Sequence, residues 1–258
     1  MSFWGKLVGG AAGFALGGPI GALLGMAAGH GVDKVRNSEK KRFNKKNFTN
    51  TQKQQLIFAT GVIALSAKVA KADGQGTKNE IKSFKKVFEF PPQDEKSIGL
   101  IFNKAKETSD GYETYAEQLF VVFNKQPKIL EEIINALFAI ALSDGLLHLD
   151  EEKIIKHISQ IFKIEESIFL SIQASNLKTE SADLSSNEKL KDAYAVLGLE
   201  TNVSEDKLKK TYKKLVKDYH PDRLVSSGLP EDFIDLANRR IAKINAAYDI
   251  IKKKKNIF

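Results

Sequence analysis

The chain has 258 residues, 42% of them hydrophobic and 28% charged, with a net charge of +8 and no cysteine. The missing cysteines exclude disulfides, Cys-ligated zinc and thiol catalysis, and the length leaves room for two small domains beyond an N-terminal segment. Charge is uneven: residues 1–50 carry +6, residues 51–180 carry −2 and residues 190–258 carry +5. Proline is scarce and alternating β-branched runs are missing, which predicts an all-α protein.

The first element is an uncharged stretch between Lys6 and His30. Its core, about residues 7–28, would span ~33 Å as a helix, close to the ~30 Å of a bilayer's hydrocarbon. Glycines stand at Gly9, Gly13, Gly17, Gly21, Gly25 and Gly29, every fourth residue. Each costs ~1 kcal/mol against alanine in a water-exposed helix, but in lipid the backbone must pair internally. A stripe of small residues there lets a second helix approach closely, so a dimer through these glycines is expected. Pro19 predicts a mild kink. The core is too long for a signal peptide and too rich in Phe14, Leu16, Ile20, Leu23 and Leu24 for a flexible linker.

Residues 32–49 form a basic segment with Lys34, Arg36, Lys40, Lys41, Arg42, Lys45 and Lys46, against Lys6 alone before the span. The positive-inside rule then puts the N-terminus in the periplasm and the C-terminal domains in the cytoplasm. Contact of this basic run with anionic lipid headgroups is an equal alternative to a solvated topology signal.

Residues 50–175 read as a helical domain. A long, mostly apolar helix is expected over 51–71, then helices over about 78–88, 93–106, 112–124, 128–143, 150–162 and 165–174. Thr77 and Glu80 form a capping-box pattern, and Pro127 suits a first helical turn. The segments 68–88 and 139–162 echo each other, with Asp73-Gly74 aligned to Asp144-Gly145 and Glu80 to Glu151. The echo points to a pseudo-symmetric bundle of about seven helices. This segment resembles the TerB-like domain of tellurite-resistance proteins, some of which carry an acidic metal site. Asp73, Glu80, Asp144 and Glu151 would converge if the halves packed face to face, as a hard divalent cation requires. Neither loop has the ligand ladder of a calcium hand, and acids at helix starts stabilise the dipole without a ligand. Capping is the favoured reading of the four acids and a metal the alternative; no other cofactor is expected.

Residues 176–189 are polar and read as a linker. The last segment, 190–258, opens with a short helix, LKDAYAVLGLE, closed by Gly198. Ser204 caps a second helix, in which Leu208, Tyr212, Leu215 and Tyr219 form one apolar stripe. Lys209, Lys210, Lys213, Lys214 and Lys217 lie mainly on the remaining face. His220-Pro221-Asp222 then sits at a loop tip, and a third helix returns with Phe233, Leu236, Ile241, Ile244, Tyr248 and Ile251. The chain has no G-x-S-x-G, H-E-x-x-H or P-loop motif, so an enzyme is not expected.

In order and spacing, DAYAVLG, YKKLVKDYHPDR and INAAYDII resemble the three helices and loop of a DnaJ-type J domain. With Trp4-Gly5-Lys6, Gly29-His30, Asp33-Lys34, Arg36 and the loop Leu224 to Pro230, the whole chain resembles the family of membrane-anchored DnaJ-like proteins A of Gram-negative bacteria. Its linker is shorter and less rich in glycine and glutamine than that family's, which bears on the reach of the J domain. The resemblance implies an inner-membrane co-chaperone that stimulates ATP hydrolysis by a DnaK-type chaperone. His220, Pro221 and Asp222 would be the trigger, Asp222 meeting an arginine of the partner, and the five lysines would meet an acidic patch. Two rival classes are a membrane scaffold or metal-responsive sensor, and a tethered DNA binder using the lysine-rich helix; no nucleic-acid partner is expected.

Overall fold

The computed structural model describes residues 17–33, 49–71, 80–88, 90, 92–107, 111–177 and 185–255, and every regular element among them is helical. The first, α1 (Gly18–Asp33), begins where Gly17 (φ 59°) and Gly18 (φ 66°) turn the chain through left-handed geometry open to glycine. Pro19 follows in the first turn of the helix, where its missing N–H costs nothing. Ile20, Leu23 and Leu24, spaced as one helical face, are buried. They join the core of the helical bundle that follows. Among the described residues no helix is long and apolar enough to cross a membrane; residues 7–16 of the expected span, with Gly9 and Gly13, lie outside them.

The bundle is built around α2 (Asn50–Ala70). Thr49 caps it: its hydroxyl accepts the Gln52 N–H at 3.2 Å, and the Gln52 side chain accepts the Thr49 N–H at 3.0 Å. From Leu56 to Val69 every residue is buried, as a mostly apolar run predicts for a central helix. Around it stand α3 (Glu80–Val87), α4 (Glu95–Glu107), α5 (Tyr112–Phe123), α6 (Pro127–Ala141), α7 (Leu149–Ile161) and α8 (Glu166–Asn176). Gly61 lets α2 and α5 close up, since a Cβ there would stand 2.6 Å from the Leu119 side chain. Gln118 of α5 binds the start of α1, accepting the Ile20 N–H at 3.0 Å and donating to the Gly17 carbonyl at 2.9 Å.

Four more helices follow: α9 (Ser186–Val196), α10 (Glu205–Asp218), α11 (Pro221–Ser226) and α12 (Ile234–Lys254). α9 starts four residues earlier than expected because Ser185 and Glu188 form a capping box, which removes those residues from the linker. Gly198 closes it with φ 65°. Ala193, Tyr194, Leu197, Leu208, Tyr219, Ile244, Ala247 and Ile251 form a small core of their own, and Tyr212 stacks on Tyr248 at 3.9 Å.

The second half of this unit belongs to the bundle. Leu224, Leu229, Phe233, Leu236 and Ala237 join the bundle's core rather than the small one. The Phe233 ring meets Phe58 edge-on at 4.9 Å and Phe88 at 4.4 Å. Replacing a buried phenylalanine with alanine costs ~3–5 kcal/mol, so Phe233→Ala is expected to lower the denaturant midpoint of the whole chain. Circular dichroism and Trp-independent probes placed in either unit should report one shared transition; two separate transitions would contradict the shared core.

Candidate functional site

The His-Pro-Asp turn is set by the two helices that flank it. α10 is started by Ser204, whose hydroxyl accepts the Lys207 N–H at 3.3 Å. Leu208 is its fully buried residue, while Lys210, Lys213, Lys214 and Lys217 are exposed. Lys209 pairs with Glu205 one turn back, and that carboxylate raises its pKa. The helix stops at Asp218, Tyr219 leaves helical geometry, and His220 takes an extended backbone (φ −59°, ψ 130°) ahead of Pro221.

What was expected as a loop is therefore the cap of a short helix, α11. The His220 ring, through Nδ1, accepts the Asp222 N–H at 3.3 Å. The Asp222 carboxylate approaches the same nitrogen at 3.8 Å and is otherwise in water, its side chain 93% exposed. Arg223, next along, is tied to Asp218 at 3.0 Å. The turn thus presents a half-exposed imidazole and a nearly free carboxylate at the end of a row of exposed lysines. The arrangement suits contact with a charged partner surface.

Sequence reasoning missed the cluster directly behind the turn. The Tyr219 hydroxyl donates to Glu131 and accepts from Lys128 Nζ at 3.0 Å. The Arg240 guanidinium lies over the Tyr219 ring at 3.7 Å and pairs with Glu132 at 2.5 Å and Glu131 at 4.0 Å. Burial pushes the Tyr219 phenol far above its ordinary range, outweighing the pull of Arg240, and Glu131 adds to the rise; the hydroxyl is a neutral donor. Burial works against the Arg240 charge, but Tyr219, Glu132 and Glu131 more than offset it and the guanidinium's pKa is raised. The available signal was Glu131-Glu132, two adjacent acids inside a mostly apolar helix.

Of the four acids of the internal echo, only Glu151 has a described side-chain role. Asp73 lies outside the described residues; Glu80 begins α3 and Asp144 closes a short turn before Gly145 (φ 103°). Glu151 accepts the His148 N–H at 3.1 Å, the capping geometry. Among the described residues no group of three or more acids, histidines or cysteines could hold a metal ion. Of the zipper positions, Gly17 is exposed, Gly21 is buried and Gly25 has open space around its Cα, while Gly29 continues α1.

Three family models match the chain in succession: the co-chaperone DjlA transmembrane domain over residues 1–47, tellurite resistance protein TerB over 59–174 and the DnaJ domain over 192–257. Proteins named co-chaperone protein DjlA resemble it along nearly their whole length. The one from Coxiella burnetii is 28% identical, covering 98% of this chain and 98% of the relative. Those from Vibrio cholerae (27%, 100% of both) and Photobacterium profundum (26%, 98% and 99%) align similarly. No solved structure matches.

In the order of its three domains, and over nearly its whole length, the chain is similar to the DjlA co-chaperones. Its His-Pro-Asp turn is that of a J domain, and the protein is a membrane-anchored J-domain co-chaperone. The bundle α2–α8 is the TerB domain of this DjlA-type chain, and α9–α12 its J domain. If Glu151 serves as a cap, Glu151→Ala should cost ~1 kcal/mol, the usual worth of a helix cap. Thermal unfolding with and without millimolar Mg²⁺ or Mn²⁺ should show the same loss; a metal-dependent stabilisation abolished by the substitution would make Glu151 a ligand.

Proposed function

We propose that this chain docks a DnaK-type chaperone at the cytoplasmic face of the inner membrane and stimulates its ATP hydrolysis. The observation that carries the reading is the exposed His220-Pro221-Asp222 turn at the end of the exposed lysine row of α10. Lys210, Lys213, Lys214 and Lys217, with Lys209 beside Glu205, give the encounter its rate and orientation against an acidic surface. Asp222 then offers its carboxylate to an arginine of the partner in a charge-assisted contact. The basic residues Lys34 to Lys46 hold this side of the anchor in the cytoplasm and the N-terminus in the periplasm.

Self-association through Gly9, Gly13, Gly17, Gly21, Gly25 and Gly29 would bring two J domains together at the bilayer. Gly21 is buried against the bundle in the described arrangement, so it faces either the bundle or a second anchor, never both. Capping by Glu151 favours the co-chaperone over a metal-responsive sensor.

The test is single-turnover ATP hydrolysis by a purified bacterial DnaK with the full chain in lipid nanodiscs. Wild type should accelerate hydrolysis and His220→Gln should not, while keeping the same thermal unfolding. Equal acceleration by a folded His220→Gln variant, or none by wild type, would overturn the reading. Lys213→Glu combined with Lys214→Glu should raise the concentration needed for half-maximal stimulation at low salt, the gap closing as salt screens the contact. A salt-independent defect would argue against electrostatic docking.

A further inference from the structure

Tyr219 is the residue immediately before the trigger, and its side chain is held by the TerB domain. It is 1% exposed. Its hydroxyl is shared between Glu131 and Lys128 of α6, and its ring is covered by Arg240 of α12. The cluster holds two cations and two carboxylates, so its charges balance inside the protein. Asn135 fixes the second carboxylate, donating to Glu132 at 2.9 Å, and Asn176 at the end of α8 donates to Asn135 at 2.8 Å.

On the other side of the turn, Leu224 is 1% exposed and lies in the bundle's core. Gly228 sits against Gln54 and Phe123, and the Leu229 carbonyl accepts from Gln55 at 3.4 Å. Both ends of the trigger, residues 219 and 224, are therefore fastened to the TerB domain. Only residues 220 to 223 project from it, with the α10 lysines beside them.

We propose that Glu131, acting through Tyr219 and Arg240, is a positioning residue for the His-Pro-Asp turn, so that the TerB domain sets the orientation in which the J domain meets its chaperone. A turn clamped at both ends loses little freedom on docking, and the saving appears as tighter binding. Loosening one clamp restores that freedom and weakens docking, while the chemistry of His220 and Asp222 is untouched. The inference rests on the chaperone-stimulating reading above.

Three variants and two readouts test it, all in the full chain. Tyr219→Phe keeps the ring over Arg240 and removes only the hydroxyl. Glu131→Ala removes the acceptor, and Glu131→Gln restores an oxygen to it. The first readout needs no chaperone. Arg223 and Leu224 donate their N–H groups to the His220 carbonyl at 3.0 and 3.1 Å, so their hydrogen exchange reports the order of the turn. Exchange there should quicken in Tyr219→Phe and Glu131→Ala, and return towards wild type in Glu131→Gln. The second readout is DnaK stimulation. Losing one buried hydrogen bond should raise the half-maximal concentration ~5–10-fold, with the maximal stimulated rate nearly unchanged. Unaltered exchange in Tyr219→Phe overturns the proposal, as does a fall in maximal rate without a change in half-maximal concentration. If wild type fails to stimulate at all, the functional reading falls, and the exchange measurement still decides the positioning role.

Discussion

A guanidinium that is 4% exposed must be answered by charge from somewhere, and Arg240 is answered by Glu131 and Glu132 of the TerB domain. Taking either partner away would leave a buried charge uncompensated, at a cost of ~3–5 kcal/mol. The J hairpin therefore cannot leave the bundle without exposing that imbalance, together with Leu224, Leu229, Phe233, Leu236 and Ala237. Apolar contact supplies the area, and the ion cluster fixes the register, because a carboxylate pair accepts the guanidinium in one place only.

This division leaves the J domain with one face used and one face free. The post-trigger segment and the start of α12 are spent on the bundle. The lysines of α10 and the carboxylate of Asp222 remain in water, where a large, acidic partner can reach them. At the other end of the chain, residues 18–25 carry two demands. They belong to the segment matched by the DjlA transmembrane domain, and they also pack Ile20, Leu23 and Leu24 into the bundle with Gln118 holding the first turn. Lipid and bundle are mutually exclusive surroundings for those three side chains, so docking of α1 and insertion of the same residues are alternative placements.

Much of the fold was legible from periodicity and capping. Helices α2–α8 of the TerB domain follow from apolar spacing, with Pro127 marking one start, and Gly198 and Ser204 mark boundaries in the J domain as their backbone chemistry requires. The trigger was legible too, because His-Pro-Asp between two amphipathic helices is a local pattern. What escaped were relations between residues far apart in sequence. Tyr219 read as one member of an apolar stripe, yet its hydroxyl is bonded to a residue 88 positions earlier. Phe233 read as part of the J hairpin's own core, yet its ring packs on Phe58 and Phe88. Periodicity says which face of a helix is buried; it does not say against which element. The left-handed geometry at Gly17-Gly18 was not legible for a different reason: every-fourth-residue spacing is equally compatible with a continuous helix.

Arg240 ties the J domain to the bundle as one unit. Because the chain has no cysteine, a pair can be introduced cleanly, at exposed Val121 of α5 and exposed Lys210 of α10. Pulsed electron–electron resonance between nitroxides at those positions, in the full chain, reads the distance between the domains directly. A single narrow distribution is expected, broadening when Arg240 is replaced by methionine. A broad distribution in the wild-type chain, unchanged by that replacement, would mean that the J domain swings free of the bundle and would contradict it.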